Sequence, residues 1–401
     1  MNNQIPFLDF YQKHSIIPVS QQLSQAHFYR RYYLYKTLGI TARVRASANK
    51  KLNILEVGAG TGDNAVITAK LFPSSQYTFI DGNRPSLDAI RAKVDSGLLP
   101  ATSQVIDGDL NKLDKDELGN NYDLVICEGT VPGQLSPASF ASKLFSLAAE
   151  DGQIVLTCAD AYSALPELLR RLYRPHLIGL EFNTAIETGV KIFSSHLDSL
   201  PAMSRSPQDW VADQILNPWT HQNWQFSVLD ALKIAESNNC DFLGSSPSFL
   251  SDWAWYKEIT NVNFYWNSLA KKQWKKSRIF SLDKRLNPAC GEFSCDTVFS
   301  ELLKKFVAFT ARASTVDEFS YSQLDAQELA SYLENAIDIL QGSNLAAQVE
   351  PVIQALVDFN RAWPAIAKGD IEADLGSFRF WWGRGQQYIS FQKLPNILST
   401  L

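Results

Sequence analysis

The sequence lacks long apolar runs, paired metal-ligand spacings and any large excess of charge, and each absence removes a class of function. No stretch approaches the roughly 18 apolar residues that a bilayer-spanning helix needs. The opening Met1-Asn-Asn-Gln-Ile-Pro has neither the basic start nor the apolar run of a secretory leader. A cytoplasmic protein without a membrane span is the expectation. The net charge of −5 over 401 residues is mild and of the wrong sign for a surface that coats nucleic acid, so no nucleic-acid partner is expected. The five cysteines (Cys127, Cys158, Cys240, Cys290, Cys295) are an odd number. Cys290 and Cys295 are close in sequence, but no second Cys or His pair completes a zinc set, and no metal is expected. Internal repeats and low-complexity linkers are also missing. A hydrophobic fraction of 45% is globular, and the length suits one domain with a large insertion, or two domains.

What is present centres on Leu52-Asn-Ile-Leu-Glu-Val-Gly-Ala-Gly-Thr-Gly62. Leu52, Ile54, Leu55 and Val57 make an apolar run that reads as a buried parallel strand. Gly58, Gly60 and Gly62 follow, and then a helix-like segment from Asp63 to Leu71. A strand that breaks into a glycine turn at a helix start lets a ligand approach the backbone, because no Cβ stands in the way. A dinucleotide turn would place its third glycine at position 63, where this chain has Asp63. Glu56, two residues ahead of the first glycine, is a poor neighbour for a pyrophosphate and a good one for a cation.

More acids follow at successive strand ends. Tyr77-Thr-Phe-Ile-Asp81 is an apolar strand ending in an acid about 20 residues past the glycines, placed to accept from both hydroxyls of a ribose. Val105-Ile-Asp-Gly-Asp-Leu110 carries Asp107 and Asp109. Tyr122-Asp-Leu-Val-Ile-Cys-Glu128 reads as a fourth strand and Gly152-Gln-Ile-Val-Leu-Thr-Cys158 as a fifth. Glu128 points into the crevice at the carboxyl end of its strand, where a carboxylate can take a proton from a substrate hydroxyl or orient an amine; capping of the adjoining turn is the alternative role.

This ordered set resembles the class I S-adenosylmethionine-dependent methyltransferases, and the likeness covers residues 50 to 160 at the level of motifs. The resemblance implies a doubly wound α/β fold with a mostly parallel seven-stranded, Rossmann-like sheet. It implies S-adenosylmethionine as cofactor and S-adenosylhomocysteine as product. Glu56, Gly58, Gly60, Asp81, Asp109 and the backbone N–H of Leu110 would hold the cofactor, with Asp109 at the adenine amino group. The resembled fold also has a seventh strand, antiparallel between the fifth and sixth. Asp241 to Phe249 suits the sixth, and Gln387 to Gln392 is the expected seventh.

Outside the sheet the expectations divide the chain into a helical lid at 1–50, a core at 51–255, a helical insertion at 256–375 and a returning strand with a tail at 376–401. In the lid, Tyr29 and Arg31 lie in an aromatic and basic segment that reads first as a helix packing its rings on the domain; in the sharper reading its Tyr and Arg close over the methionine carboxylate of the cofactor. Ala164 to Tyr173 and Pro207 to Leu216 read as helices, and Lys191 to Asp198 alternates weakly. His196 is a candidate base alongside Glu128. Arg205, Trp210 and Arg384 are candidate substrate contacts. The basic cluster Lys271 to Arg278 reads as a solvated helix face or a contact for a phosphorylated substrate.

Three further segments, Phe10 to Ser20, Ile126 to Gly133 and Trp382 to Tyr388, resemble a bacterial group of methyltransferases often encoded near cell-surface carbohydrate genes. The expected activity is methyl transfer to an oxygen or nitrogen of a small or glycan-like acceptor. The alternatives are a protein methyltransferase that grips a polypeptide with its helical block, and a non-catalytic S-adenosylmethionine-binding module. Asp63 argues against a dinucleotide oxidoreductase.

Overall fold

A computed structural model describes residues 10–11, 13–14, 51–114, 118–119, 121–200, 203, 205–218, 220, 226–250, 257, 266–288, 292–314 and 320–395. The expected lid at 1–50, with Tyr29 and Arg31, lies almost wholly outside the described residues, and both of those side chains do. The chain divides into two units: residues 1–158, 226–274 and 386–401 form the first, and 159–225 with 275–385 the second.

The first unit is built on seven strands: β1 (Asn53–Val57), β2 (Gln76–Asp81), β3 (Gln104–Asp107), β4 (Tyr122–Cys127), β5 (Ala148–Ala159), β6 (Cys240–Ser246) and β7 (Gln386–Lys393). Their order across the sheet is β3-β2-β1-β4-β5-β7-β6. β1 pairs in parallel with β2 and with β4, β2 with β3, and β4 with β5. β7 runs antiparallel to β6, with Cys240 opposite Lys393 and Ser246 opposite Tyr388. The expected returning strand at Gln387 to Gln392 is therefore in place.

Alternation along the strands covers both faces of the sheet. Leu55, Val57, Val125, Cys127, Ile154 and Leu156 pack with Phe140, Leu144 and Phe145 of the helix Pro137–Leu147. Ile54, Leu124, Ile126, Tyr77 and Phe79 pack the other way, with Ala65, Val66 and Ala69 of the helix Asp63–Leu71. Successive side chains of a strand point to opposite faces, so continuous apolar runs are what a sheet covered on both sides requires. The helix Val228–Ser237 starts at a capping box in which Ser227 and Asp230 satisfy each other's backbone N–H groups.

The second unit is helical and contains two guanidinium networks, one half-buried and one buried. Arg278 pairs with Asp296 through Nε at 2.7 Å and Nη2 at 2.5 Å, and Tyr162 donates its hydroxyl to the same carboxylate at 2.7 Å. Arg171 donates to the carbonyls of Gln214 at 2.6 Å and Asn217 at 3.0 Å, and Arg174 to that of Leu216 at 3.2 Å. These guanidinium groups satisfy carbonyls left over at the end of the π-helical turn Val211–Leu216.

Two expectations change here. Residues 159–225, assigned to the core on sequence, belong with 275–385, because partners of Tyr162 such as Asp296 come from more than a hundred residues downstream. Lys191 to Asp198 does not alternate as a strand but lies within the helix Phe182–Leu197 and its cap. Glu181 starts that helix by accepting from the N–H groups of Asn183 and Thr184. Among the described residues no helix is long and apolar enough to cross a membrane.

Candidate functional site

The glycine turn after β1 takes its shape from positive φ angles at Gly58 (68°), Gly60 (54°) and Gly62 (76°). Side-chain-bearing residues adopt that region at a cost of roughly 1–2 kcal/mol each. Gly58 has a second reason to lack a side chain: a Cβ there would stand 2.0 Å from Thr130 Oγ1. Thr130 thus lies over the turn, with its hydroxyl donating to the carbonyl of Glu128 at 3.3 Å.

Asp81, at the end of β2, is 9% exposed and ties two strand ends together. Its Oδ2 accepts from the Gly60 N–H and its Oδ1 from the Asn83 N–H, both at 2.8 Å. Burial raises its pKa, while N–H donors from Asn83, Gly60 and Gly82 pull the other way. Glu56 is buried at 3% exposure on the neighbouring strand. The field of these two acids is felt at Cys127, whose thiol pKa rises through burial first and then through Glu56 and Asp81. A strand edge with this potential attracts a cation and disfavours a pyrophosphate.

Position 63 shows why a dinucleotide turn is not built here. Asp63 accepts from Thr61 Oγ1 at 2.7 Å and pairs with Lys93 at 3.3 Å, while Lys93 also donates to the carbonyl of Thr61 at 2.8 Å. A carboxylate fills the place of the third glycine and closes the start of the helix.

Past β3, Asp109 Oδ1 accepts from the backbone N–H of Asn111 at 2.9 Å and from its side-chain amide at 3.1 Å. Leu110 beside it is buried, at 2% exposure. At the end of β4, Glu128 Oε2 accepts from Asn64 at 3.3 Å, which holds it near the first turn of the helix after the glycines. The N–H of Gly129 donates to Thr157 Oγ1 on β5 at 2.7 Å. Gln386, the first residue of β7, brings its amide oxygen to 4.0 Å from where a Cβ on Gly129 would stand. Glu56, Gly58, Gly60, Asp81, Asp109, Leu110 and Glu128 thus sit on or just past adjacent strand ends of one sheet. Among the described residues no group of three or more His, Cys, Asp and Glu is placed to hold a metal ion.

The family profile for a methyltransferase domain matches residues 54–152, the segment that carries this strand edge. Residues 54–152 carry a methyltransferase domain. No curated protein matches the sequence. Solved structures similar to this chain include an arsenic(III) S-adenosylmethionine methyltransferase from Chlamydomonas reinhardtii, 24% identical over 26% of this chain and 38% of that one, with a TM-score of 0.24. Another is PKMT2 from Rickettsia typhi in complex with AdoHcy, 14% identical over 56% and 46%, TM-score 0.37. A third is the magnesium protoporphyrin IX methyltransferase of Synechocystis with bound SAH, 14% identical over 59% and 85%, TM-score 0.33. The chain therefore spans well under two thirds of the length of the first two. S-adenosylmethionine is the methyl donor of such a domain, and the residues present suit a cationic nucleoside: open space at Gly60 and the buried acids Glu56 and Asp81 beside it.

His196, Arg205, Trp210 and Arg384 lie in the second unit. His196 is 3% exposed; its Nδ1 accepts from Arg170 Nε at 3.2 Å, and its ring meets Phe193 and Phe378 edge-on. Burial, with Arg170 and Arg379 adding, pushes its pKa down to about 2. A ring so enclosed is an interior hydrogen-bond acceptor, and this corrects its assignment as a base. Arg205 pairs with the buried Asp213. Trp210 is buried against Phe193 and Trp382. Arg384 donates to the carbonyls of Phe280 at 3.3 Å and Leu286 at 2.5 Å, so its guanidinium is spent on backbone rather than presented to an anion. In the basic cluster, Lys271 pairs with Glu236 at 2.5 Å and Arg278 with Asp296. Sequence reasoning missed Thr130, Asn64, Thr157, Asn111 and Gln134, polar residues brought together at this edge from a helix, a strand and two loops.

Two outcomes follow from these contacts. Gly60→Ala, which meets open space, should cost only its backbone strain of about 1–2 kcal/mol. Gly58→Ala should cost distinctly more in urea unfolding, with part recovered by Thr130→Ala; equal losses would contradict the packing. For His196, the folded pKa lies far below the usual value near 6.5, so the unfolded chain binds the extra proton as pH falls. The stability it contributes is complete above about pH 6.5 and declines below it. His196→Gln should flatten the fall in unfolding free energy between pH 6.5 and 5 by up to about 1.4 kcal/mol per pH unit. Parallel pH profiles would show the imidazole to be titratable in the fold.

Proposed function

We propose that this chain transfers the methyl group of S-adenosylmethionine to an oxygen or nitrogen of a small or glycan-like acceptor, in the cytoplasm. The carrying observation is Asp81: a buried carboxylate held by Gly60 and Asn83, within the segment that matches a methyltransferase domain. In this reading the Asp81 carboxylate accepts from the ribose hydroxyls, and the Gly58 to Gly60 backbone gives the nucleoside close approach. Glu56 contributes negative potential, and Asp109 with the Leu110 N–H faces the base. Tyr29 and Arg31, in the segment expected to act as a lid, are proposed for the methionine carboxylate.

The bound donor supplies a methyl group already activated by a sulfonium, open to in-line displacement. The protein's share is then to orient the acceptor, exclude water and, for an oxygen acceptor, take up a proton. Glu128 is the proposed base, since it stands at the end of β4 with Asn64 fixing one carboxylate oxygen. The acceptor class is supported by the likeness of three segments to methyltransferases encoded near carbohydrate genes.

Incubation with methyl-labelled S-adenosylmethionine and bacterial extract fractions should place label in small polar molecules. Label confined to intact polypeptides would overturn the acceptor class. Asp81→Asn should weaken S-adenosylhomocysteine binding by about 1–3 kcal/mol, the cost of disturbing a buried hydrogen-bonded carboxylate. An affinity equal to wild type by calorimetry would contradict the site.

A further inference from the structure

The loop after β3 and the loop after β4 are joined by a run of side-chain hydrogen bonds that the account above leaves unused. Asn111 Nδ2 donates both to Asp109 Oδ1, at 3.1 Å, and to Gln134 Oε1, at 3.3 Å. Gln134 Nε2 donates to the carbonyl of Thr130 at 3.3 Å. Gln134 is 5% exposed and directly follows the short turn Val131–Gly133. Its amide orientation is fixed by these contacts, since a flipped amide would set two N–H groups against each other at Asn111. Asn111 therefore grips Asp109 at Oδ1, from its backbone and from its side chain. The other carboxylate oxygen, Oδ2, faces Lys112 Nζ at 3.9 Å.

The sheet order gives that grip a direction. β3 lies beyond β2, and β2 beyond β1 with its glycine turn. A nucleoside with its ribose at Asp81 has its base on the β3 side, where Asp109 stands. A carboxylate there accepts from an exocyclic amine and repels a carbonyl oxygen. We propose that Gln134 is a positioning residue that holds Asp109, through Asn111, in the orientation that selects an adenine over a 6-oxopurine base. The inference rests on the donor reading above. It adds a residue some 25 positions downstream of the acid it serves, on a different strand end.

Removing either member of the strap leaves Asp109 with its backbone donor and frees its carboxylate to turn. Selectivity is lost more than affinity, because the glycine turn and Asp81 are untouched. The test is calorimetry with S-adenosylhomocysteine and its 6-oxo analogue, S-inosylhomocysteine, on wild type, Gln134→Met, Asn111→Ala and the double variant. Wild type should prefer the adenine ligand. Each single variant should lower that preference by about 3- to 10-fold, the scale of one hydrogen bond, and the double variant should lose no more than either single. Thermal unfolding reports whether each variant is folded. Asn111 is exposed, so Asn111→Ala carries the test if Gln134→Met does not fold. Variants that weaken both nucleosides by the same factor, or neither, overturn the positioning role while leaving the donor intact. A wild type that binds neither nucleoside overturns the donor reading itself, and this inference with it.

Discussion

A carboxylate taken out of water needs donors fixed in place, and Asp81 finds them on the ends of two different strands. One of its oxygens holds the Gly60 N–H and the other the Asn83 N–H. The same strand ends are joined again by the Gly58 N–H, which donates to the Ile80 carbonyl at 2.8 Å. The glycine turn is therefore pinned from the side. Its positive φ angles, the absence of a Cβ under Thr130 and the start of the following helix all depend on that pinning. Glycine reaches these angles without strain, and the hydrogen bonds to Asp81 and Ile80 select them from the many a glycine allows.

The charge of the edge follows from the same arrangement. Glu56 and Asp81 are buried side by side on paired strands, with Glu56 opposite Phe79 in the register. Meanwhile Lys93 is spent on Asp63 and the carbonyl of Thr61, and Arg84 and Lys112 face Asp107 and Asp109. The edge keeps a negative potential, and the helix start behind it is already occupied by a carboxylate. Both facts favour a positively charged nucleoside over a pyrophosphate.

Much of this was legible because strands covered on both faces leave a simple trace. Apolar runs ending in Glu56, Asp81 and Glu128 locate the strand ends directly. β7 could be placed because the resembled fold has a seventh strand, no strand-like segment directly follows Phe249, and Phe378 to Phe391 is β-prone. The second unit was not legible for the opposite reason. Its organisation comes from single long-range contacts, such as Tyr162 with Asp296 and Arg170 with the carbonyl of Trp381 at 2.8 Å, and these leave no periodic signal. His196 and Arg384 look like chemistry in a sequence, but one accepts from a buried guanidinium and the other satisfies two carbonyls. A polar residue's role depends on what burial puts beside it, and loop residues such as Gln134 acquire theirs only when two strand ends meet.

The most direct test of the account is a crystal structure of the chain grown with S-adenosylhomocysteine. The ribose hydroxyls should lie within hydrogen-bonding distance of Asp81, with the base on the β3 side against Asp109 and Leu110. A nucleoside bound elsewhere, or a strand edge left empty at saturating ligand, would contradict it.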